Sequence, residues 1–428
     1  MSGPAPDSAA GDASGADGDG AGRPSPRLAY AQWMDACARA GWLDAPVVEQ
    51  VPATAALGRV TAAPVHARWP SPRSDCAAMD GIAVAAASLG AAGAAAEVAL
   101  PASAFQWIDT GDPLPPGTDT VVERERVLPG DDGGVRITGG AGPVRRGRHV
   151  RTTGEDFLAG QVLVPAGRRL RPGDLAVAVA AGHAALAVAR QPVVAIIPTG
   201  DEIRPAGSTI RPGEIIDSNS LMLASRCRQV GALPAVSDVQ PDDPDTLAAE
   251  IRRSALAADL VLVIAGSSRG RGDHTAAVLA DVGGLAVAGA AVRPGHPVLL
   301  GHVKLGRPRA HQPAGAAPVI GLPGYPLAAA VIFEVFARPV IAAIQGWEPT
   351  ERTQRVTLDR DWTSAPGVED WVPVTLTWGQ DGTLATPGRR GAGSTSQLAR
   401  ADAWWPIPIG RGHFTRGSVI EVLAIWGA

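Results

Sequence analysis

Cysteine is scarce in this 428-residue sequence, and so are tyrosine and phenylalanine: it has three Cys, two Tyr and five Phe. Cys37, Cys76 and Cys227 are odd in number, widely spaced and in no metal-ligand pattern. That excludes a disulfide framework and points to a reducing compartment. A dominant charge is also missing, with 38 Lys and Arg against 42 Asp and Glu and a net charge of -4. No basic face announces itself, so nucleic acid is not the expected partner. The N-terminus lacks a basic head followed by an apolar core, so no secretory signal is expected. No apolar run crosses a membrane uninterrupted; the nearest, Leu327 to Ile344, is broken by Glu334, Arg338 and Pro339. A soluble, cytoplasmic protein is the expectation.

What is present is apolar mass and punctuation. The chain is 46% hydrophobic, with 52 Gly and 38 Pro. Single cores stop growing near ~250–300 residues, so two to four domains are expected. Residues 1 to about 26 are mostly Gly, Ala, Ser, Asp and Pro, which bury too little surface to offset their ordering entropy; a disordered tail is expected there. The stretch from 27 to 64 reads as helical, with Leu28, Trp33 and Cys37 near one face. From 65 to 156, short apolar pieces cut by Gly and Pro ("DGIAV", "EVAL", "TVVERERV", "GVRITG") give a small β-rich domain. From 191 to 344, strand-like runs ("VVAIIP", "LPAVSDV", "DLVLVIAG", "APVIGLP") alternate with helical segments. Leu223, Cys227 and Val230 mark one such helix; Leu247, Ile251 and Ala258 mark another. That alternation predicts a doubly wound, mainly parallel α/β sheet covered on both faces. After 345 the chain returns to short strands and forms a small all-β terminal domain.

In an open parallel sheet, ligands bind beyond the carboxyl ends of the strands. Four such ends are expected here: "IIPTGDE", "VIAGSSRGRGDHT", "VIGLPGYP" and "AAVRPGHP". Glycines let backbone N–H groups approach a phosphate, and a following helix start adds positive dipole. Asp201, Glu202, Asp217 and Asp273 would share the rim, and acids beside a phosphate cradle suggest a divalent cation, Mg²⁺. Taken singly, each loop is an ordinary turn and each Asp a helix cap; four together point to a ligand.

Read in order, "CAAMDGIAV", "DTGDPLPPGTDTVVERERV", "TTGEDFLAGQVLVPAG", "IIPTGDEI", "GEIIDSNS", "VRPGHPVLLG", "IGLPGYPLAA" and "GAGSTSQLARADAWWPIP" resemble the molybdenum insertase (molybdopterin molybdotransferase) family, which includes the gephyrin E domain. The resemblance implies homodimers of four-domain subunits. On that plan the linking domain would be 27–64 with 157–190, beside the β-rich second domain 65–156, the α/β domain 191–344 and the C-terminal domain 345–428. It also implies a Mg²⁺-dependent reaction on adenylylated molybdopterin, with AMP released and molybdate inserted into the dithiolene. The site would lie between the α/β domain of one subunit and the second domain of the other. The adenylyltransferase of the same pathway is a possible partner.

Residue by residue, the resemblance assigns Asp80, Asp156, Glu202 and Asp273 to catalysis, and Asp201, Glu202 and Asp273 to the metal. Thr199, Gly200, Asp201, Asp217, Asn219, Gly266, Ser267, Ser268, Arg293, His296, Pro323, Gly324 and Pro326 would hold the pterin and the oxyanion. The sequence departs from the family pattern at Gly266-Ser267-Ser268-Arg269-Gly270, at Tyr325 where the family carries Asn, and at Gly289 and His296 where it carries lysines. Two alternatives stay open: a non-catalytic protein that holds or senses the pterin cofactor, and an insertase for another oxyanion such as tungstate.

Overall fold

The structure, a computed structural model, describes residues 22–425 apart from 43–45, 90–96, 139–144, 266–273, 307–314, 349–352, 381, 390 and 392. Contacts divide the chain into two units, Met1–Val47 with Arg190–Ala428, and Val48–Ala189.

The first unit is built on a six-stranded sheet in the order Leu233–Val236, Val193–Pro198, Leu260–Ala265, Ala316–Pro323, Leu299–Lys304, Gly283–Ala288. The first four strands are parallel and the last two antiparallel. Leu260–Ala265 and Ala316–Pro323 are buried at every position, as continuous apolar runs in a sheet covered on both faces must be. Alternate residues feed two cores. Ile196, Leu262 and Ile320 meet Leu223, Ile332 and Phe336 on one face; Ile197, Val263 and Val319 meet Leu247, Ile251 and Leu279 on the other. The helices Asn219–Gln229 and Pro244–Ala255 stand where the apolar spacing places them, although Ala258 lies just past the end of the second.

The N-terminal helix departs from expectation. It spans Pro26–Arg39, with Pro26 in the first turn and Ser25 Oγ accepting from the Leu28 N–H at 3.3 Å. It buries Ala29, Trp33 and Cys37 in the core of the α/β unit, while Leu28 is 50% exposed. The Trp33 indole N–H donates to the Gly301 carbonyl at 2.6 Å. This helix therefore packs on the α/β sheet. The residues expected to prolong it form a strand of the other unit, Val48–Pro52. The tail boundary shifts too: Ala291 N–H donates to the Pro24 carbonyl at 2.8 Å, so 23–25 are part of the fold.

A second six-stranded sheet, also in this unit, closes on itself because Glu369–Gly379 pairs with both Gly382–Pro387 and Ala403–Ile407. Val356, Val374, Trp405, Ile407 and Val422 fill this small barrel. The long helical stretch Pro326–Ile344 is apolar enough to pass as a membrane span, but most of it is buried in the core. Within it, a π-helical turn, Phe333–Ala337, carries the buried Glu334, which is ion-paired to the buried Arg226.

The second unit is β-rich. Gly81–Val84 lies between Gln106–Ile108 and Thr120–Glu123; a further sheet joins Val98–Leu100, Val135–Ile137 and Val127–Pro129. Val48–Pro52 pairs with Ala185–Ala189 beside the helix Pro172–Ala180.

Candidate active site

Ile197, Val263, Gly321 and Leu299 lie in one row across the sheet, so the segments that follow Pro198 and Pro323, and the hairpin that leads into Leu299, all emerge at the same rim. Gly266, Ser267, Ser268 and Asp273 lie outside the described residues.

At the first strand end, Thr199 is buried, and both its N–H and its hydroxyl donate to the Ile264 carbonyl at 3.0 and 2.9 Å. Its hydroxyl hydrogen ties two strands together and is not offered to a ligand. Gly200 has φ +133°, and a Cβ there would lie 2.9 Å from the Glu202 carboxylate, so only glycine lets Glu202 fold back so closely. Asp201 and Asp242 are linked twice: the Asp201 N–H donates to an Asp242 carboxylate oxygen at 3.4 Å and the Asp242 N–H to Asp201 Oδ1 at 3.3 Å. Both Asp201 and Glu202 are exposed. Arg204 pairs with Glu214 at 2.9 Å and donates to the Asp201 carbonyl, pinning the loop.

Asp217 Oδ1 accepts from the Ser220 N–H at 3.0 Å, the helix-cap role that its position also allowed. The neighbouring Asn219 is buried and donates to the Gly324 carbonyl at 2.7 Å. Its Oδ1 and the Ser220 hydroxyl are buried without a hydrogen-bond partner among the described residues. Buried polar atoms are nearly always paired, so Asn219, which is tied to Gly324, leaves capacity for a ligand at the Pro323–Pro326 turn. Tyr325 in that turn is 60% exposed, and its ring edge lies 3.3 Å from where a Cβ on Gly393 would stand.

Arg293 and His296 follow Gly283–Ala288, a strand of the α/β sheet, as expected, in the hairpin that leads into Leu299. Within this 289–298 hairpin, Val292–Arg293 also pairs with Glu369–Asp370 of the barrel sheet. The chain begins its turn back at Gly289, where φ is +91°. The hairpin closes through Ala290 N–H to the His296 carbonyl at 3.1 Å, and Gly295 packs on Ile332. Arg293 and His296 are half-buried. A residue the sequence reading missed sits here. The Arg23 side chain lies over Gly289, with Nε 3.2 Å from where a Cβ would be. Composition alone places it in the tail; the signal that finds it is its place two residues before the helix cap Ser25.

In the second unit, Asp80 Oδ1 accepts from both the N–H and the hydroxyl of Thr110, at 2.7 and 2.6 Å. The Thr110 hydroxyl, then its N–H, with the nearby Arg124 guanidinium adding less, hold Asp80 below the ordinary carboxylate range. A Cβ on Gly81 would lie 1.9 Å from the Val122 carbonyl oxygen, which explains the glycine after Asp80. Asp156 is exposed on the turn after Val150–Arg151, with its N–H donating to the Ser71 carbonyl at 2.9 Å. No hydrogen bond joins Asp80 and Asp156 among the described residues. Asp75, not singled out in the sequence, is clamped by Thr153 in the way that Thr110 clamps Asp80. We expect Thr110→Val to raise the Asp80 titration toward the ordinary value, read by carbon NMR of the labelled carboxylate. The sign follows from linkage. A depressed folded-state value contributes stability above the unfolded pKa of about 3.9, which is lost as pH falls through the folded value. An unmoved titration would remove Thr110 as the cause.

The described residues include no group of three or more His, Cys, Asp or Glu placed to hold a metal ion. The α/β domain has acids on its carboxyl rim, and polar atoms there that lack partners among the described residues, in one chain with a closed barrel and a β-rich unit with clamped aspartates; it is of the class that binds its ligand at the rim. Family models match in chain order: "MoeA N-terminal region (domain I and II)" over 29–182, "Probable molybdopterin binding domain" over 195–343 and "MoeA C-terminal region (domain IV)" over 355–425. A molybdopterin molybdenumtransferase of Nostoc sp. is 30% identical over 397 residues, covering 87% of each chain. Molybdopterin molybdenumtransferase 2 of Mycobacterium tuberculosis is 30% identical over 404 residues, covering 87% of this chain and 94% of that one. The crystal structure of a MoeA protein of Pyrococcus horikoshii superposes with a TM-score of 0.77 at 28% identity, over 94% of this chain and 99% of that one. The chain belongs to the molybdopterin molybdenumtransferase (MoeA) family, transferases of molybdenum cofactor biosynthesis.

Proposed function

We propose that this protein inserts molybdate into adenylylated molybdopterin with release of AMP, in the cytoplasm and as a homodimer. The supporting observation is the rim itself: Asp201 and Glu202 emerge at the same end of the sheet as Asn219, whose buried Oδ1 lacks a partner among the described residues. The pterin substrate would sit along 199–202 and 323–326, and Asn219 and Ser220 would complete their hydrogen bonds to it. Arg293 and His296 would hold the oxyanion, with Arg23 returning the charge that Gly289 lacks. Asp80 and Asp156 would come from the second unit of the partner subunit and orient the reacting groups.

The donor set fits a hard divalent cation. Two exposed carboxylates suffice where Mg²⁺ keeps waters and substrate phosphate oxygens as its other ligands. Asp201 and Glu202 would hold it, with Asp273 from outside the described residues, and when bound it supplies charge neutralisation on the phosphate. The chain's own residues bind and align the anions.

The test mixes purified protein, adenylylated molybdopterin, Mg²⁺ and molybdate, and follows AMP, with tungstate in parallel. Molybdate-dependent AMP release supports the proposal. Tight pterin binding without AMP release favours the cofactor-holding alternative. For the anion loop, Arg23→Ala is expected to weaken molybdate binding roughly 5- to 10-fold, about 1 kcal/mol at a half-buried charge pair. Unchanged affinity by calorimetry would take Arg23 out of the loop's function.

A further inference from the structure

We propose that Arg124, laid against the indole of Trp107 beside Asp80, is an anion-binding residue that grips a phosphate group of the substrate. The inference rests on the transferase reading above and adds to it a residue that the sequence did not suggest.

Its origin is local. Among the described residues Gln106–Ile108 is an edge strand paired with Gly81–Val84, and Trp107 stands opposite Ile82 where the core gives out, 44% exposed. Phe105 braces the indole edge-on, with ring centres 5.9 Å apart. Arg124 opens the short turn after Thr120–Glu123, and its N–H donates to the Asp80 carbonyl at 3.0 Å. That bond forms because Gly81 lets the two strands approach. The guanidinium carbon then lies 5.2 Å from the centre of the Trp107 ring.

The contact with the indole holds the guanidinium and uses none of its N–H donors. Among the described residues the Arg124 side chain makes no hydrogen bond, so its N–H donors point to no protein acceptor. It acts on Asp80 through charge alone, because the Asp80 oxygen that is bonded takes both its hydrogen bonds from Thr110. A planar fork with uncommitted donors, held by an aromatic face, matches the paired oxygens of a phosphate. A simple ion pair with Asp80 would have spent those donors. The class of ligand is therefore a phosphate ester or anhydride, placed so that one of its oxygens reaches Arg124 while the neighbouring group faces Asp80.

The test uses the full chain with inorganic pyrophosphate as the probe, titrated calorimetrically without metal, and in parallel the steady-state kinetics of AMP release. Arg124→Gln is expected to weaken pyrophosphate about 10- to 100-fold, the range for losing hydrogen bonds between charged groups. It should raise KM for the adenylylated pterin by a similar factor and leave kcat within about twofold. Arg124→Lys should recover only part of the loss, since an ammonium has no fork, and Trp107→Leu should fall between. Asp80→Asn should tighten pyrophosphate binding in metal-free buffer by removing a neighbouring negative charge, an effect that a purely structural arginine would not predict. Wild-type affinity in Arg124→Gln, or full recovery by lysine, overturns the proposal. If Arg124→Gln does not fold, the lysine and Trp107→Leu variants decide. If the natural protein releases no AMP, the transferase reading fails while the pyrophosphate titration still judges this site. If AMP release is normal and KM is unmoved by Arg124→Gln, this proposal alone fails.

Discussion

Glu202→Gln is expected to lower AMP release by roughly 10²- to 10⁴-fold with little change in melting temperature. Metal-centred charge stabilisation is worth several kcal/mol in a transition state, and each 1.36 kcal/mol is tenfold in rate. Glu202 is exposed on its loop, where substitutions change stability by within about ±0.5 kcal/mol. The amide keeps the shape that Gly200 accommodates, so lost activity reports charge and not a rearranged turn. Thermal melting and single-turnover AMP release, measured together, check this. Near-normal turnover would remove Glu202 from the site, and a collapsed fold would make it structural.

The largest effect on stability is expected far from the rim. Arg226 and Glu334 are ion-paired with little exposure, and Arg338 stands 3.7 Å from the second Glu334 oxygen. Arg226 also donates to the Ile425 carbonyl at 2.7 Å, tying the helix Asn219–Gln229 and the π-turn to the end of the barrel sheet. Burial pulls the Arg226 pKa down to about 10, so the charge remains at neutral pH. Removing one partner of such a pair strands the other, at about 3–5 kcal/mol. Glu334→Leu should therefore lower the melting temperature markedly, and adding Arg226→Met should restore much of it, since an apolar pair can replace a buried ionic one. Equal loss in the single and double variants would show that the pair's other contacts, not its charges, matter.

These expectations differ in how visible they were in the sequence. The central strands were legible because Leu260–Ala265 and Ala316–Pro323 are apolar at every position, and only a doubly covered sheet accepts that. The acids at Asp201 and Glu202 were legible as a charged stop after such a run. The Arg293–His296 hairpin was legible as a segment after an α/β strand, but two residues, Val292 and Arg293, carry too little pattern to say that they also pair with the barrel sheet. The packing partner of the first helix was not legible in the sequence. Trp33 and Cys37 announce a buried face, but nothing local says that Gly301, 268 residues away from Trp33, will receive the indole. Arg23, Thr110 and Arg124 were missed because each acts through a contact distant in sequence: a bare Gly289, the Asp80 carboxylate and the Trp107 ring. The signature motifs carried the reading of function further than periodicity could, since they mark positions, such as Asp80 before Gly81, whose spacing has no helical or strand logic.

The claim on which the account turns is that acids of the α/β unit and acids of the β-rich unit, from two subunits, make one site for molybdenum transfer. The direct measurement is AMP release by purified heterodimers in which one chain carries Asp80→Ala and the other Glu202→Ala. One cleft would then hold both substitutions and the other neither, so about half the activity of the natural dimer is expected from two inactive parents. Heterodimers no more active than either parent, with their composition confirmed by mass spectrometry, would contradict it.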